Sequence, residues 1–209
     1  MNSKTDKTSN ESPGSAQDEH SRWLKQLSTF TELGKTVTSS LDIKEVLSIV
    51  MEKIRDMLRP KNWSLLLVDE KTNELCFEIV VGEGAEKIKD IRLKIGEGIA
   101  GWVAKEGTPL LVPDAQQDPR FAKKVDDKSR FITKSVICVP LISKGKILGV
   151  IELINKVEEG SFKYEDLIIL RTIADYTAIA IENAKYFQRV QELTVTDDLT
   201  GLYNSRHLY

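Results

Sequence analysis

The sequence is poor in the residues that metal, haem and most hydrolytic chemistry require. It has two histidines, His20 and His207, each close to one end of the 209-residue chain. Between them no imidazole is available to ligate haem iron, to complete a zinc site or to act as a general base. These absences predict a protein with no haem, no metal and no hydrolytic triad.

Cysteines, long apolar runs and excess charge are scarce as well. Cys76 and Cys138 are too few for a disulfide scaffold, and without a histidine or second cysteine nearby both are expected to be buried hydrophobes. No apolar run reaches the roughly 18–20 residues that span a bilayer. The 30 basic and 32 acidic residues give a net charge of −2, which argues against nucleic-acid or membrane partners. We therefore expect a cytoplasmic globular protein.

What is present is one domain with a surplus of sequence at each end. The 209 residues exceed the roughly 150 that are typical of one domain. Residues 1–20 contain only Met1 and Ala16 from the apolar set, and they predict a disordered leader because so little burial cannot offset the entropy of ordering. We expect the folded domain over residues 21–184 and a signalling helix with coiled-coil character over 185–196.

Two helices are predicted before the central part of the domain. Apolar residues recur at helical spacing from Trp23 to Leu41, which indicates a first amphipathic helix. Asp42, followed three residues later by Glu45, has the N-cap pattern of a second helix, and Pro60 is expected to end it.

A long helix is predicted at the other end of the domain. From Tyr164 to about Thr196 the chain has helical periodicity and contains neither glycine nor proline, which predicts a rod of roughly 50 Å. A rod that projects beyond its own domain usually meets a partner helix. We expect a homodimer through the N- and C-terminal helices, with a solitary solvated helix as the alternative.

The residues between these helices have the short apolar segments and turn residues typical of strands. The pattern predicts about six strands in a mostly antiparallel sheet, at Ser64–Val68, Leu75–Val81, Ile91–Lys94, Leu110–Val112, Ser135–Ile142 and Ile147–Lys156. A glycine-rich turn leads into a short helix at 96–104. The polar stretch 113–134 is long for a connection, which is typical of a functional loop.

Several motifs, in order along the chain, resemble those of a GAF domain. The central signature is similar to residues 98–104, 107–109, 112–114 and 118–121, and the final hairpin is similar to residues 135–141 and 148–153. The resemblance covers about residues 25–185. It implies an α+β fold: a six-stranded, mostly antiparallel sheet with the N- and C-terminal helices on one face and a small helix and loop lid on the other.

One further motif resembles the cyclic-nucleotide-binding branch of that family. Asn155-Lys156, then Phe162 and Asp166, is similar to the NKFDE motif, although Leu167 replaces its glutamate. In that branch Lys156 and Asp166 would form an ion pair that supports the site without touching the ligand. The alternative is an ordinary surface ion pair.

The same resemblance implies a set of ligand-binding residues. They are Ser64 beside the base, Ile99 and Ala100 with backbone groups at a helix start, Phe121, the lid residues Asp126, Ser129, Phe131 and Thr133, and Glu152 on the sheet. Each has a plainer alternative: a strand-edge cap for the serine, solvated loop positions for the lid residues, a lysine pair for the glutamate. Two segments depart from that branch: Ala122 replaces an aromatic residue near Phe121, and Val80-Val81-Gly82 stands where the branch has an aromatic and an acidic residue. Lost aromatic stacking weakens a purine site by roughly 1–3 kcal/mol.

The end of the chain resembles the opening of a GGDEF (diguanylate cyclase) domain. Residues 196–207 match its D-x-L-T-G-L-x-N-R-R pattern, with Ser205 in place of the first arginine. We therefore expect residues 197–209 to be the truncated start of such a domain. The chain contains no Gly-Gly-Asp-Glu-Phe run, so it is not expected to be an enzyme.

These resemblances imply the sensory part of a bacterial signalling protein. It would bind a small ligand, with a cyclic nucleotide as one candidate, and pass the ligand state along its last helix to a diguanylate-cyclase-type output. The alternative is a dimerisation scaffold whose pocket is plugged by Phe77, Phe121 or Phe131. A cavity of at least about 300 Å³ would favour a ligand. An enzyme similar to free-methionine-sulfoxide reductases would need reactive cysteines in loops.

Overall fold

The computed structural model describes Ser28 and residues 31–32, 34–157 and 160–195, with no side chains described for 192–195. Residues 34–39 are helical, within the first predicted helix. The predicted disordered leader and the predicted start of a GGDEF domain lie outside the described residues.

Two long helices lie at the ends of the described chain. Helix α1 is Ile43–Leu58, and the Asp42 side chain caps it by accepting a hydrogen bond from the Lys44 amide at 2.7 Å, which confirms the predicted N-cap. Helix α4 is Tyr164–Val195, 32 residues long, as its periodicity predicts. No helix in the described ranges has the length and apolar content needed to cross a membrane.

The strands form one antiparallel sheet in the order β3-β2-β1-β6-β5-β4. The strands are β1 Pro60–Asp69, β2 Glu74–Val81, β3 Arg92–Lys94, β4 Leu110–Val112, β5 Val136–Ser143 and β6 Lys146–Lys156. The predicted α+β fold is confirmed. Strand β1 starts at Pro60, four residues before the predicted start at Ser64. A proline is tolerated there because the first residue of a strand can lack an N–H group.

The two faces of the sheet are covered differently. Helices α1 and α4 cover one face, where their apolar stripes pack on residues such as Leu65, Ile151 and Leu153. The other face bears a short helix α2, Gly98–Glu106, and a lid that contains a 3₁₀ turn and helix α3, Lys124–Ser129. Side chains alternate between faces along each strand, so neighbours in sequence belong to different cores.

A bulge in β2 shapes the second face. Leu65 of β1 pairs with Ile79 and Leu66 pairs with Phe77, which leaves Glu78 as the extra residue. The bulge reverses the order in which β2 side chains point to the two faces. Phe77 and Val80 therefore both pack in the second core, which is the apolar cluster between the sheet and α2.

Candidate functional site

All nine residues that the resemblance selects line one cavity between the sheet and the lid. The space open to the centres of water molecules is about 60 Å³. A single water molecule needs roughly 10–15 Å³ by this measure, so the closed form has room for a few waters. This volume is below the size expected of a ligand pocket, and the binding roles of the nine residues stay a prediction.

The floor of the cavity is a lateral row of side chains across the sheet. Glu152 of β6 pairs with Ser64 of β1 on one side and with Cys138 of β5 on the other, and Val80 of β2 continues the row beyond Ser64. Directly paired residues in antiparallel strands share a face. Two polar groups, Ser64 and Glu152, are therefore placed side by side on this face of the sheet.

Ser64 is fully enclosed and unsatisfied. Its side chain is 3% exposed, and its Oγ is the one buried side-chain polar atom among the described residues that has no hydrogen-bond partner. A strand-edge cap would have given this hydroxyl a partner. A buried hydroxyl without a partner costs about 1–3 kcal/mol, so this position works against stability in the closed form.

Glu152 is enclosed by the domain and makes no hydrogen bond or ion pair with any residue that the structure describes. Burial raises the pKa of its carboxyl group to about 7, and the nearby negative charge of Asp126 adds to that shift. The expected alternative, a pair with a lysine, does not occur within the described ranges. The surface that Glu152 keeps faces the cavity.

Helix α2 directs its N-terminus at the same cavity. The cavity is lined by the first three residues of the helix, Gly98, Ile99 and Ala100. Gly101 is the first residue of the helix whose amide has a backbone acceptor, because it donates to the Glu97 carbonyl at 3.1 Å. The three preceding N–H groups have no acceptor in the described part of the chain. Free amides at a helix start favour an anion or a carbonyl oxygen.

The lid residues are bonded mainly to one another. The Asp126 carboxylate accepts hydrogen bonds from Thr133 Oγ1 at 2.6 Å and from the Thr133 amide at 2.9 Å. Ser129 Oγ donates to the Asp126 carbonyl at 3.2 Å and accepts from the Phe131 amide at 3.1 Å. Asp126 and Ser129 are therefore not free solvated positions, because they hold the lid in its closed shape.

Phe121 is held at the cavity by the turn that precedes it. The Arg120 guanidinium forms an ion pair with the Asp118 carboxylate at 2.6 Å, which lowers the pKa of that carboxyl group. The same guanidinium lies over the Trp102 ring, 4.7 Å from its centroid, at a distance typical of a cation–π contact. These contacts join the lid to helix α2.

Lys156 and Asp166 form the ion pair that the NKFDE resemblance implies. Lys156 Nζ lies 3.0 Å and 3.1 Å from the two Asp166 oxygens, and Asp166 also accepts the Lys163 amide at 2.8 Å. The pair ties the end of β6 to the first turn of α4. Its side chains are 20% and 11% exposed, so it is better shielded than an ordinary surface pair.

Sequence reasoning gave no role to the Asn155 side chain, which clamps the end of the lid. Its Oδ1 accepts the amides of Lys134 and Ser135 at 2.7 Å and 3.0 Å, and its Nδ2 donates to the Ile132 carbonyl at 2.9 Å. The residue has a left-handed φ of 51°, which asparagine tolerates. The position of Asn155 beside Lys156 in the NKFDE-like motif was the one sequence feature that could have indicated a role for it.

Neither cysteine is placed for catalysis. Cys138 is fully buried in β5, where burial raises its thiol pKa and the charge of Glu152 adds to the shift. Cys76 lies within β2 and is half-buried, not fully buried as expected, and neither cysteine is in a loop. Within the described residues no group of three histidine, cysteine, aspartate or glutamate side chains is arranged to hold a metal ion.

Solved structures share this fold. The GAF domain of a phosphoenolpyruvate-protein phosphotransferase from Coxiella burnetii superposes with a TM-score of 0.68 at 21% identity, covering 78% of this chain and 96% of that one. A free methionine-R-sulfoxide reductase from Neisseria meningitidis superposes with a TM-score of 0.63 at 19% identity, covering 76% and 89%. At these identities the likeness concerns the fold alone.

Two curated relatives are similar in sequence. A probable 3′,5′-cyclic phosphodiesterase of Caenorhabditis elegans is 29% identical over 84% of this chain and 26% of its own length. A dual 3′,5′-cyclic-AMP and -GMP phosphodiesterase 11A of Takifugu rubripes is 31% identical over 76% of this chain and 19% of its own. The chain thus matches only a small part of each relative. The GAF domain family profile matches residues 42–181, and the chain belongs to the GAF domain family.

Proposed function

We propose that this GAF domain is the sensory part of a cytoplasmic bacterial signalling protein, and that it binds a 3′,5′-cyclic nucleotide in the cavity under the lid. The two sequence relatives are named as 3′,5′-cyclic phosphodiesterases. The nine residues that the cyclic-nucleotide branch suggests all meet at this cavity. The domain has a regulatory fold.

The observation that supports binding most directly is the unpartnered Ser64 hydroxyl, which lines the same cavity as the free amides of helix α2. A cavity that served only to fill the fold would have apolar side chains here, because unsatisfied buried polar groups destabilise it. A ligand with hydrogen-bonding atoms and one anionic group satisfies both features. Ser64 would bond its base or ribose, and the amides of Ile99 and Ala100 would bond the phosphate.

Binding must move the lid, because the closed cavity of about 60 Å³ is smaller than the roughly 300 Å³ of a small-ligand site. The lid end at Lys134 and Ser135 is bonded to Asn155, and the next residue, Lys156, is paired with Asp166 at the start of α4. Lid opening and closing therefore has a bonded connection to α4. Through it the ligand would bias one arrangement of α4 over another.

The output would pass through a dimer of α4 helices. Ile168, Ile179 and Val190 are 49%, 43% and 56% exposed and are eleven residues apart, about three helical turns, so they form one outward line opposite the buried face. We propose that a second copy covers this line. The tail beyond α4 resembles a diguanylate cyclase opening, so the output domain we propose is of that type.

Sedimentation velocity tests the dimer. We expect the protein to sediment as a dimer and the variants Ile179→Glu and Val190→Glu to sediment as monomers, while the control Gln188→Glu, at an exposed position away from the line, stays dimeric. A wild-type monomer at high concentration would contradict the proposal.

Calorimetric titration with cyclic AMP, cyclic GMP and cyclic di-GMP tests the ligand. We expect heat and an increase in melting temperature with a 3′,5′-cyclic mononucleotide. No response to any of the three would refute cyclic-nucleotide binding. That result would favour the second candidate, a dimerisation scaffold, which the small volume of the closed cavity supports.

A further inference from the structure

The cavity is lined by acidic side chains and by no basic one. Glu83, Asp126 and Glu152 contribute carboxylates to its wall, and no lysine, arginine or histidine among the described residues lines it. A site for an anionic ligand ordinarily provides lysine or arginine. Here the groups that can stabilise negative charge are the free amides of helix α2.

Every element packed around Glu152 presents a neutral or acidic group to it. Ser64 of β1 and Cys138 of β5 pair with it directly, and the negative charge of Asp126 in the lid acts on it. Thr133 of the lid, Glu83 after β2 and the start of α2 line the same cavity. Asp126 is already engaged by Thr133 at 2.6 Å. Glu83 is exposed to solvent. Glu152 is therefore the shielded carboxyl group of the cavity whose charge no bond or ion pair among the described residues compensates.

We propose that Glu152 sets the charge of the ligand, so that the cavity admits ligands with one negative charge and excludes those with two. The N-terminus of a helix offers the equivalent of about half a positive charge, which is enough to accept one anionic group but not a second beside an acidic wall. This inference rests on the proposed function. It predicts that 3′,5′-cyclic mononucleotides bind whereas 5′-monophosphates and cyclic di-GMP do not.

The same arrangement makes binding depend on pH. Burial raises the pKa of Glu152 to about 7, and a neutral Glu152 offers a hydrogen-bond donor and no repulsion. If only the neutral form accepts the anion, affinity falls roughly tenfold between pH 6 and pH 8. Glu152→Gln leaves the other two acidic residues of the cavity, Asp126 and Glu83, in place, so the variant isolates Glu152.

Calorimetric titration of the full chain at pH 6 and pH 8 tests the proposal with cyclic GMP, cyclic AMP and 5′-GMP as the probes. In the wild type we expect a cyclic mononucleotide to bind about tenfold more tightly at pH 6 and 5′-GMP not to bind at pH 8. Glu152→Gln should bind the cyclic mononucleotide equally at both values and should gain binding of 5′-GMP. The control Glu78→Gln removes an exposed carboxylate that does not line the cavity and should behave as the wild type.

The outcomes separate the two proposals. Equal wild-type affinity for a cyclic mononucleotide at both pH values, or a tenfold change that persists in Glu152→Gln, would overturn the role of Glu152 and leave the proposed function intact. Absence of nucleotide binding to both proteins at pH 6 would overturn both proposals. The wild-type pH dependence is decisive even if the variant is unstable.

Discussion

The helix-covered face of the sheet and the face that bounds the cavity are built from alternate residues of the same strands, and they differ in what they bury. On β6, Ile151 and Leu153 point into an apolar core under α1 and α4. Between them Glu152 points to the opposite side, beside Ser64, whose hydroxyl has no hydrogen-bond partner. Both faces bury apolar side chains, but the cavity face also keeps two polar groups that destabilise the domain.

This difference indicates what the second face is for. A sequence selected for stability alone would place apolar side chains in the central row of that face, because both positions are enclosed and flanked by apolar residues. Strained or unsatisfied groups gather where a protein binds or reacts. Replacing an apolar residue on the helix-covered face is therefore expected to lower the free energy of unfolding, whereas replacing one of these two polar residues is expected to raise it.

The largest effect is expected from Ile151→Ala on the helix-covered face. Ile151 is fully buried, and its truncation removes apolar contacts and leaves a cavity, which costs about 2–5 kcal/mol of unfolding free energy. Urea denaturation measures it. The control Ile132→Ala, at a side chain 67% exposed, should change stability by less than about 0.5 kcal/mol. Equal changes in unfolding free energy for the two variants would contradict the assignment of Ile151 to the apolar core under α1 and α4.

Next in size, and opposite in sign, is Glu152→Gln on the cavity face. The pKa of this group rises from 4.5 to about 7 on folding, so the folded state binds more protons than the unfolded chain between these values and stability falls as pH rises through them. The variant should be more stable than the wild type by up to about 3 kcal/mol at pH 8 and equal to it at pH 4. Urea denaturation at a series of pH values measures it. A difference in unfolding free energy between variant and wild type that stayed constant across pH would contradict the prediction.

A smaller loss is expected from Asp166→Asn at the connection between β6 and α4. The change leaves the shielded Lys156 ammonium without its counter-charge, which costs about 1–2 kcal/mol. Thermal unfolding measures it. The exposed pair of Lys146 and Glu70 is the control, and Glu70→Gln should cause no measurable change. If the two variants unfold alike, Lys156 and Asp166 are an ordinary surface pair.

Much of the fold followed from local signals in the sequence. The alternation along β6, the N-cap at Asp42 and the uninterrupted periodicity of α4 depend on neighbouring residues, which sequence displays directly. Two features could not be predicted from neighbouring residues. The start of β1 at Pro60 is fixed by pairing with β6, which is distant in sequence, and the bulge at Glu78 is fixed by the pairing of β2 with β1.

The position of the nine suggested residues was predictable, but their chemistry was not. Motif resemblance selected nine of the residues that line the cavity, since each occupies a recognisable position, and their binding roles stay a prediction. It did not predict that Glu152 is unpartnered or that Asn155 clamps the lid, because these facts depend on which segments surround a side chain after folding. That no basic residue in the described part of the chain lines the cavity likewise emerges only when β1, β6 and the lid come together.

The most direct test of the trade between stability and binding is the unfolding midpoint of Ser64→Ala with and without saturating cyclic GMP or cyclic AMP. Removing an enclosed hydroxyl that lacks a partner should stabilise the free protein by about 1 kcal/mol and reduce the stabilisation that the ligand adds. A variant that is less stable than the wild type when free, and is stabilised by ligand to the same extent, would contradict the account.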